Sequence, residues 1–148
     1  MKPIVYPLLA GVGAAVAIGL LSLSTMINPN WVLLMAPFGA TAVLVFGVPD
    51  SPLAQPKNVI LGHLLTAFIG LCFLEFVGIS PLSLALASGL AVSLMLLTKT
   101  THPPAGANPL LVMLTSQHWD FLFTTVLAGS LAMVALAQMH RSLQRRWV

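Results

Sequence analysis

Residues 99–114 read KTTHPPAGANPLLVML, and the fold turns on that stretch. A lysine, a histidine and three prolines stand beside an apolar run. The residue before a proline is pushed out of helical geometry, whereas proline itself fits a helix's first turn. The break therefore predicts a helix that begins here, with its start set inside whatever medium surrounds the apolar run.

That medium follows from composition. The chain has 148 residues, 58% of them hydrophobic and 6% charged, with a mean hydropathy of +0.99. Soluble domains carry about 25% charged residues. So few charges cannot wet the surface of a domain of this length, and the expected solvent is a lipid bilayer. The net charge of +3 comes from six scattered Lys/Arg, too few for a phosphate-tracking face, so nucleic acid is not expected as a partner. The single cysteine, Cys72, excludes an intramolecular disulfide and leaves the redox compartment open.

A full crossing takes about 20 apolar residues. Segments 4–27, 57–77 and 121–140 qualify, and 82–98 is just long enough. The first exceeds a signal-peptide core of about 7–15 residues and reads as a retained span. Segments 31–47 and 103–116 are short, with proline and glycine near their starts. The one substantial connector, GVPDSPLAQPKN at 47–58, is marked by its prolines and Asp50. If both short segments cross, Lys2, Lys57, Lys99, Arg141, Arg145 and Arg146 fall on one side, and Glu75 and Asp120 on the other. Basic residues at span ends favour the cytoplasm. The expectation is six crossings in a bacterial-type inner membrane with both termini cytoplasmic. The rival is four full spans with two re-entrant segments.

A shift of 67 residues superposes the halves. PFGATAVLVF from Pro37 lies over PAGANPLLVM from Pro104, and VILGHL from Val59 over VLAGSL from Val126, with the glycines in step. Three spans per half force the second half to enter from the opposite face. The expected fold is therefore all-α: six short transmembrane helices as a 3+3 inverted repeat, with halves of about 1–78 and 79–148 in one membrane domain. Short, Pro/Gly-interrupted segments at matching positions of such a repeat point to a midplane transport site. Helix starts carry unpaired N–H groups and about half a positive charge, which suit an anion. The expected site comprises Pro37, Gly39, Ala40 and Thr41 of one start and Pro104, Gly106, Ala107 and Asn108 of the other. Thr41 and Asn108 are the matching polar side chains, and no acidic residue lies in either motif.

THPPAGA at 101–107 resembles the signature of the HPP family of integral membrane proteins, and FGATAVLVFGVPDSPLAQPKNVILGH at 38–63 resembles that family's other characteristic block. The resemblance covers nearly the whole chain. It implies a transporter, with a link to nitrite in some members, and about four spans against the six counted above. Asn108 and Pro109 stand where small residues are expected.

His102 joins the expected site as an anion donor or a carrier of a coupled proton, with a backbone-capping role as the plain alternative. His63, ionisable inside a span, joins it too, against a neutral interhelical hydrogen bond. Lys57 and Lys99 are read either as anchors or as charges drawing anions to the inner mouth. His118 and His140 are read as interfacial, as are Trp31, Trp119 and Trp147. The steps Ala10/Ala14, Gly11/Ala15 and Ala85/Gly89 predict close helix contacts. There is no HExxH, CxxC, phosphate loop or paired-carboxylate site, so neither an enzyme nor a metal or cofactor is expected. The expected function is passage of a small inorganic, nitrite-like anion, by channel or proton-coupled carrier, with a homo-oligomer open as a partner. The alternative is a non-transporting scaffold or regulatory subunit.

Overall fold

The computed structural model describes residues 4–29 and 31–146, apart from the side chains of Arg145 and Arg146. Lys2, counted among the basic residues of one side, and Trp147, read as interfacial, lie outside the described residues, as do those two arginine side chains. The described elements are helical: α1 (Val5–Ile27), α2 (Pro37–Gly47), α3 (Pro56–Phe76), α4 (Pro81–Leu97), α5 (Asn108–Leu114) and α6 (Ala128–Arg146). The second half of α2, Val43–Gly47, is π-helical. A 3₁₀ stretch, Pro103–Ala107, leads into α5, and a π-helical stretch, Leu122–Leu127, leads into α6. Val5–Ile27, Pro56–Phe76 and Leu122–Gln144 are long and apolar enough to cross a membrane. The segments led by Pro37 and Pro103 are short, as expected, but Pro81–Leu97, expected to be just long enough to cross, also falls among the shorter apolar helices.

The helix boundaries have local causes. Prolines open α2, α3 and α4 and the stretch before α5, where their missing N–H leaves no orphan donor. Ser80 and Ser83 form a reciprocal capping box at the start of α4. At its end, the Thr100 N–H donates to the Met95 carbonyl at 2.9 Å and the Lys99 N–H to the Leu96 carbonyl at 3.2 Å. This closure requires a left-handed residue, usually glycine. Here Lys99 takes that place at φ 55°.

Side-chain ties fix the direction of each short segment. Near one end of α1, the Ser24 hydroxyl donates to the Trp31 carbonyl at 2.6 Å and accepts from the Leu33 N–H. Near the other end, the Tyr6 hydroxyl donates to the Gly47 carbonyl at 2.9 Å. From position 6 to position 24 a helix rises about 27 Å. The chain from Trp31 to Gly47 therefore runs back along the length of α1 instead of looping in and out of one end. The segment before α5 runs beside α3 in the same direction. Asn58 donates to the Thr101 carbonyl at 2.9 Å, and Gly70, three turns on, packs against Pro109 and Val112. Arg141, late in α6, pairs with Asp50 in the connector. Lys57, Lys99 and Arg141 thus lie at the end of the bundle that also holds the start of α1.

Helices approach closely where a side chain is missing. A Cβ on Gly62 would lie 2.9 Å from the Thr100 carbonyl oxygen, and one on Gly129 would strike the Leu33 carbonyl and the Phe38 ring. Fully buried Ala17, Ala67, Ala87 and Ala91 serve the same purpose. The expected small-residue steps are only partly used this way. Ala10 is buried, but Gly11, Ala15, Ala85 and Gly89 are exposed on this chain. The closest approach on α1 falls instead at Gly13, under Phe46 and His140.

Candidate functional site

Five polar side chains meet where the two short segments cross α3: Thr41 from α2, His63 and Thr66 from α3, and His102 and Asn108 from the chain entering α5. Each is at most 1% exposed, in a molecule whose other side chains are mostly apolar. His102 is held in extended geometry by the prolines that follow it, and glycine at position 62 admits its Cβ against α3. The two imidazole rings lie edge to face, centroids 4.9 Å apart, and the Phe38 and His63 rings meet at nearly a right angle, centroids 5.1 Å apart.

The hydrogen bonds have a readable direction. A carbonyl only accepts, so His102 Nδ1, 2.8 Å from the Leu53 carbonyl, carries a proton and donates it. Likewise, the His63 carbonyl accepts from Asn108 Nδ2 at 3.0 Å, which fixes the amide's orientation. The same Nδ2 lies 3.0 Å from His63 Nδ1 and 3.0 Å from Thr66 Oγ1, while Thr66 donates to the Gly62 carbonyl at 2.8 Å. His63 Nδ1 is thus an acceptor, and the ring's proton sits on Nε2, which donates to Thr41 Oγ1 at 2.9 Å. Thr41 Oγ1 is equally close, 2.9 Å, to His102 Nε2, and 3.3 Å from the Pro37 carbonyl. Among the described residues Asn108 Oδ1 has no hydrogen-bond partner although it is buried. Such an acceptor costs about 1–3 kcal/mol.

The expected site residues fall into two groups. Thr41, His63, His102 and Asn108 come together. Pro37, Ala40, Pro104 and Ala107 instead line an open apolar groove of about 710 Å³ between the two short segments. Gly39 and Gly106 have nothing within 4 Å of where a Cβ would stand. The expectation that helix-start N–H groups are free for an anion is corrected for three amides. Phe38 and Gly39 donate to the carbonyls of Met35 and Ala36, and Ala105 donates to that of His102. A proline-led start closes as a tight turn and consumes these donors itself. Lys57 and Lys99 are exposed at the bundle end, away from the cluster. No group of three or more His, Cys, Asp or Glu side chains is gathered among the described residues.

Thr66, the Leu53 carbonyl and the Phe38 ring are not among the expected site groups. Thr66 carried a signal, being a hydroxyl one turn from His63 within an apolar span. The 67-residue shift pairs Thr41 with Asn108, both in the cluster. It pairs His63 with Ser130 and His102 with Met35, which are buried elsewhere.

The sequence profile of the HPP transmembrane region matches residues 2–148. Two Dictyostelium discoideum proteins described as transmembrane proteins are similar to the chain. One is 34% identical over 154 residues, covering 99% of this chain and 54% of the relative. The other is 36% identical over 137 residues, covering 87% and 44%. The chain spans about half the length of these relatives. No solved structure matches it. With a polytopic helical architecture, His102 of THPPAGA in its buried polar cluster, and a family profile matched from residue 2 to residue 148, the chain belongs to the HPP transmembrane family.

Proposed function

We propose that the chain carries a small inorganic anion of nitrite-like size across a bacterial-type inner membrane. Passage lies between the two short segments, which act as the central spans of a 3+3 inverted repeat. The observation that carries this reading is the buried cluster of Thr41, His63, His102 and Asn108. Buried polar groups are costly in lipid and mark pathways in membrane proteins. Any positive charge acquired by these imidazoles has no acidic side chain beside it. Asp50, Glu75 and Asp120 are all exposed. A small anion supplies that balance, and the groove lined by Pro37, Ala40, Pro104 and Ala107 offers a close approach. The cluster is satisfied internally except at Asn108 Oδ1, so passage involves an exchange of hydrogen bonds with Thr41 and Asn108. Lys57 and Lys99 concentrate anions at the mouth, on the side read as cytoplasmic. The repeat is supported by the 67-residue shift: it carries Pro56–Phe76 to within one residue of each bound of the last crossing, Leu122–Gln144, and Pro37, which opens α2, onto Pro104 in the stretch Pro103–Ala107 that leads into α5.

The test is flux of nitrite, nitrate, formate and chloride into proteoliposomes containing the purified protein alone. Saturable flux of at least one of these anions, cut by Asn108→Ala, is the expected result. Absence of flux for every anion, with robust co-purification of another membrane protein, would establish the chain as a non-transporting subunit instead.

A further inference from the structure

The groups that fix the hydrogen-bond directions also limit where a proton can be added. His102 Nδ1 is committed to the Leu53 carbonyl, and His63 Nδ1 to the Asn108 amide. His63 Nε2 carries a proton given to Thr41. In the neutral cluster the Thr41 hydroxyl then donates to His102 Nε2, at 2.9 Å. That nitrogen's lone pair meets nothing but this hydroxyl hydrogen, which has a second acceptor at hand, the Pro37 carbonyl at 3.3 Å.

We propose that His102 Nε2 is a proton-binding site gated by the Thr41 hydroxyl, which turns from the His102 ring to the Pro37 carbonyl when the proton arrives. The balance is simple. One proton adds to His102 Nε2, and no covalent bond breaks. The new Nε2–H donates to Thr41 Oγ1, which now accepts from both imidazoles and donates only to Pro37. Both states satisfy every hydrogen on the two rings and the hydroxyl. They differ by one proton and one hydroxyl rotation.

The surroundings isolate the site. From α3 the titratable group facing His102 is His63, at 4.9 Å between centroids. α2 contributes Thr41, and the connector contributes the Leu53 carbonyl. Asp50, Lys57, Lys99 and Arg141 lie at the bundle end, with Asp50 paired to Arg141. His140 belongs to another contact, edge to face with Phe46. The imidazolium thus forms without a fixed counter-charge, and its formation alters a hydrogen bond in the first turn of α2. Resting on the transport reading above, this makes the cargo a proton together with an anion, the proton's arrival being reported to the short helix through Pro37.

The test is nitrogen NMR of the full chain, ¹⁵N-labelled at histidine and held in lipid bilayers, with signals assigned by single His→Gln variants. At high pH the two rings are expected in opposite tautomers: His102 protonated at Nδ1 with a bare Nε2, His63 protonated at Nε2 with a bare Nδ1. On acidification the bare Nε2 of His102 gains its proton before His63 changes. Thr41→Val is expected to move that transition by more than tenfold in proton activity, and Thr41→Ser to restore it. Identical tautomers in the two rings, His63 protonating first, or a Thr41→Val protein that titrates like the wild type would each overturn the proposal. The wild-type tautomers decide the matter even if Thr41→Val fails to fold. Opposite tautomers without flux in liposomes leave the proton site standing and sink the transport reading. Flux with identical tautomers does the reverse.

Discussion

Gly62 and Gly129 are 67 positions apart, and each lies under a main-chain carbonyl of the opposite half. Thr100 packs on Gly62 and Leu33 on Gly129, and Thr100 and Leu33 are themselves 67 positions apart. Ala105, behind His102 at Gly62, and Phe38 at Gly129 keep the same offset. This reciprocity supports the repeat proposed above.

Substitution at these glycines is expected to separate packing from site function. Gly62→Ala places a methyl 2.9 Å from a carbonyl oxygen and 3.0 Å from His102 Cβ. Overpacking of this kind costs about 1–3 kcal/mol, less up to about 1 kcal/mol regained from helix propensity. Gly129→Ala, against a carbonyl and an aromatic ring, should lose at least as much. Gly39→Ala and Gly106→Ala meet open space and should melt at or above the wild-type temperature. Thermal unfolding in detergent checks this, and equal melting temperatures for all four variants would refute the packing account.

Labelling tests the orientation in the membrane. In a Cys72→Ser background, Lys57→Cys and Lys99→Cys should both resist an impermeant maleimide applied to intact cells, and His118→Cys should react. The motive is the shared bundle end of Lys57, Lys99 and Arg141, fixed through the Asn58–Thr101 and Asp50–Arg141 contacts. Strong outside labelling at both lysine positions would reverse the proposed orientation.

His102→Ala is expected to abolish proton-linked anion uptake. Wild-type uptake should rise as the loading side is acidified, because acid supplies the proton that His102 binds in the proposed mechanism. The sign follows from the protonated ring being the anion-accepting state. The variant should also lose about 1–3 kcal/mol of stability, because the Leu53 carbonyl is left without its donor. A variant with wild-type uptake and pH profile would reduce His102 to a cap on that carbonyl.

Lys99 offers a trade between stability and function. A non-glycine residue at φ 55° costs about 1 kcal/mol relative to glycine. Lys99→Gly should therefore raise the melting temperature slightly while slowing anion uptake at low ionic strength, and the slowing should fade with added salt. Unchanged uptake at low salt would leave the lysine as an anchor only.

Much of this architecture is legible in the residues. Prolines at 37, 56, 81 and 103 announce four helix starts, and the matched glycines give the 67-residue offset. His63 and His102 stand out as ionisable groups in an apolar chain. What the residues do not disclose is which partner each group finds. The Leu53 carbonyl reaches His102 because the connector folds back under the bundle, and Thr41 meets both rings because of how α2 crosses α3. Neither depends on a local pattern. Gly62 and Gly39 are the same letter in similar surroundings, yet one is pressed against a carbonyl and the other faces open space. The donors of a proline-led start look free on a helical template, but a tight turn pairs them with the carbonyls of Met35, Ala36 and His102.

On the repeat proposed above, the pairing of His63 with Ser130 and of His102 with Met35 places an unbalanced filling in a balanced scaffold. Exchanging the conformations of the two halves would not return an equivalent molecule, since only one arrangement surrounds the imidazoles with Thr41 and Asn108. If the chain carries its cargo as proposed, its two orientations differ in energy before any gradient is applied, and their populations differ accordingly. The bias belongs to a handful of side chains, so exchanging Ser130 and Met35 for their counterparts is the place to look for a molecule that rests equally on either side.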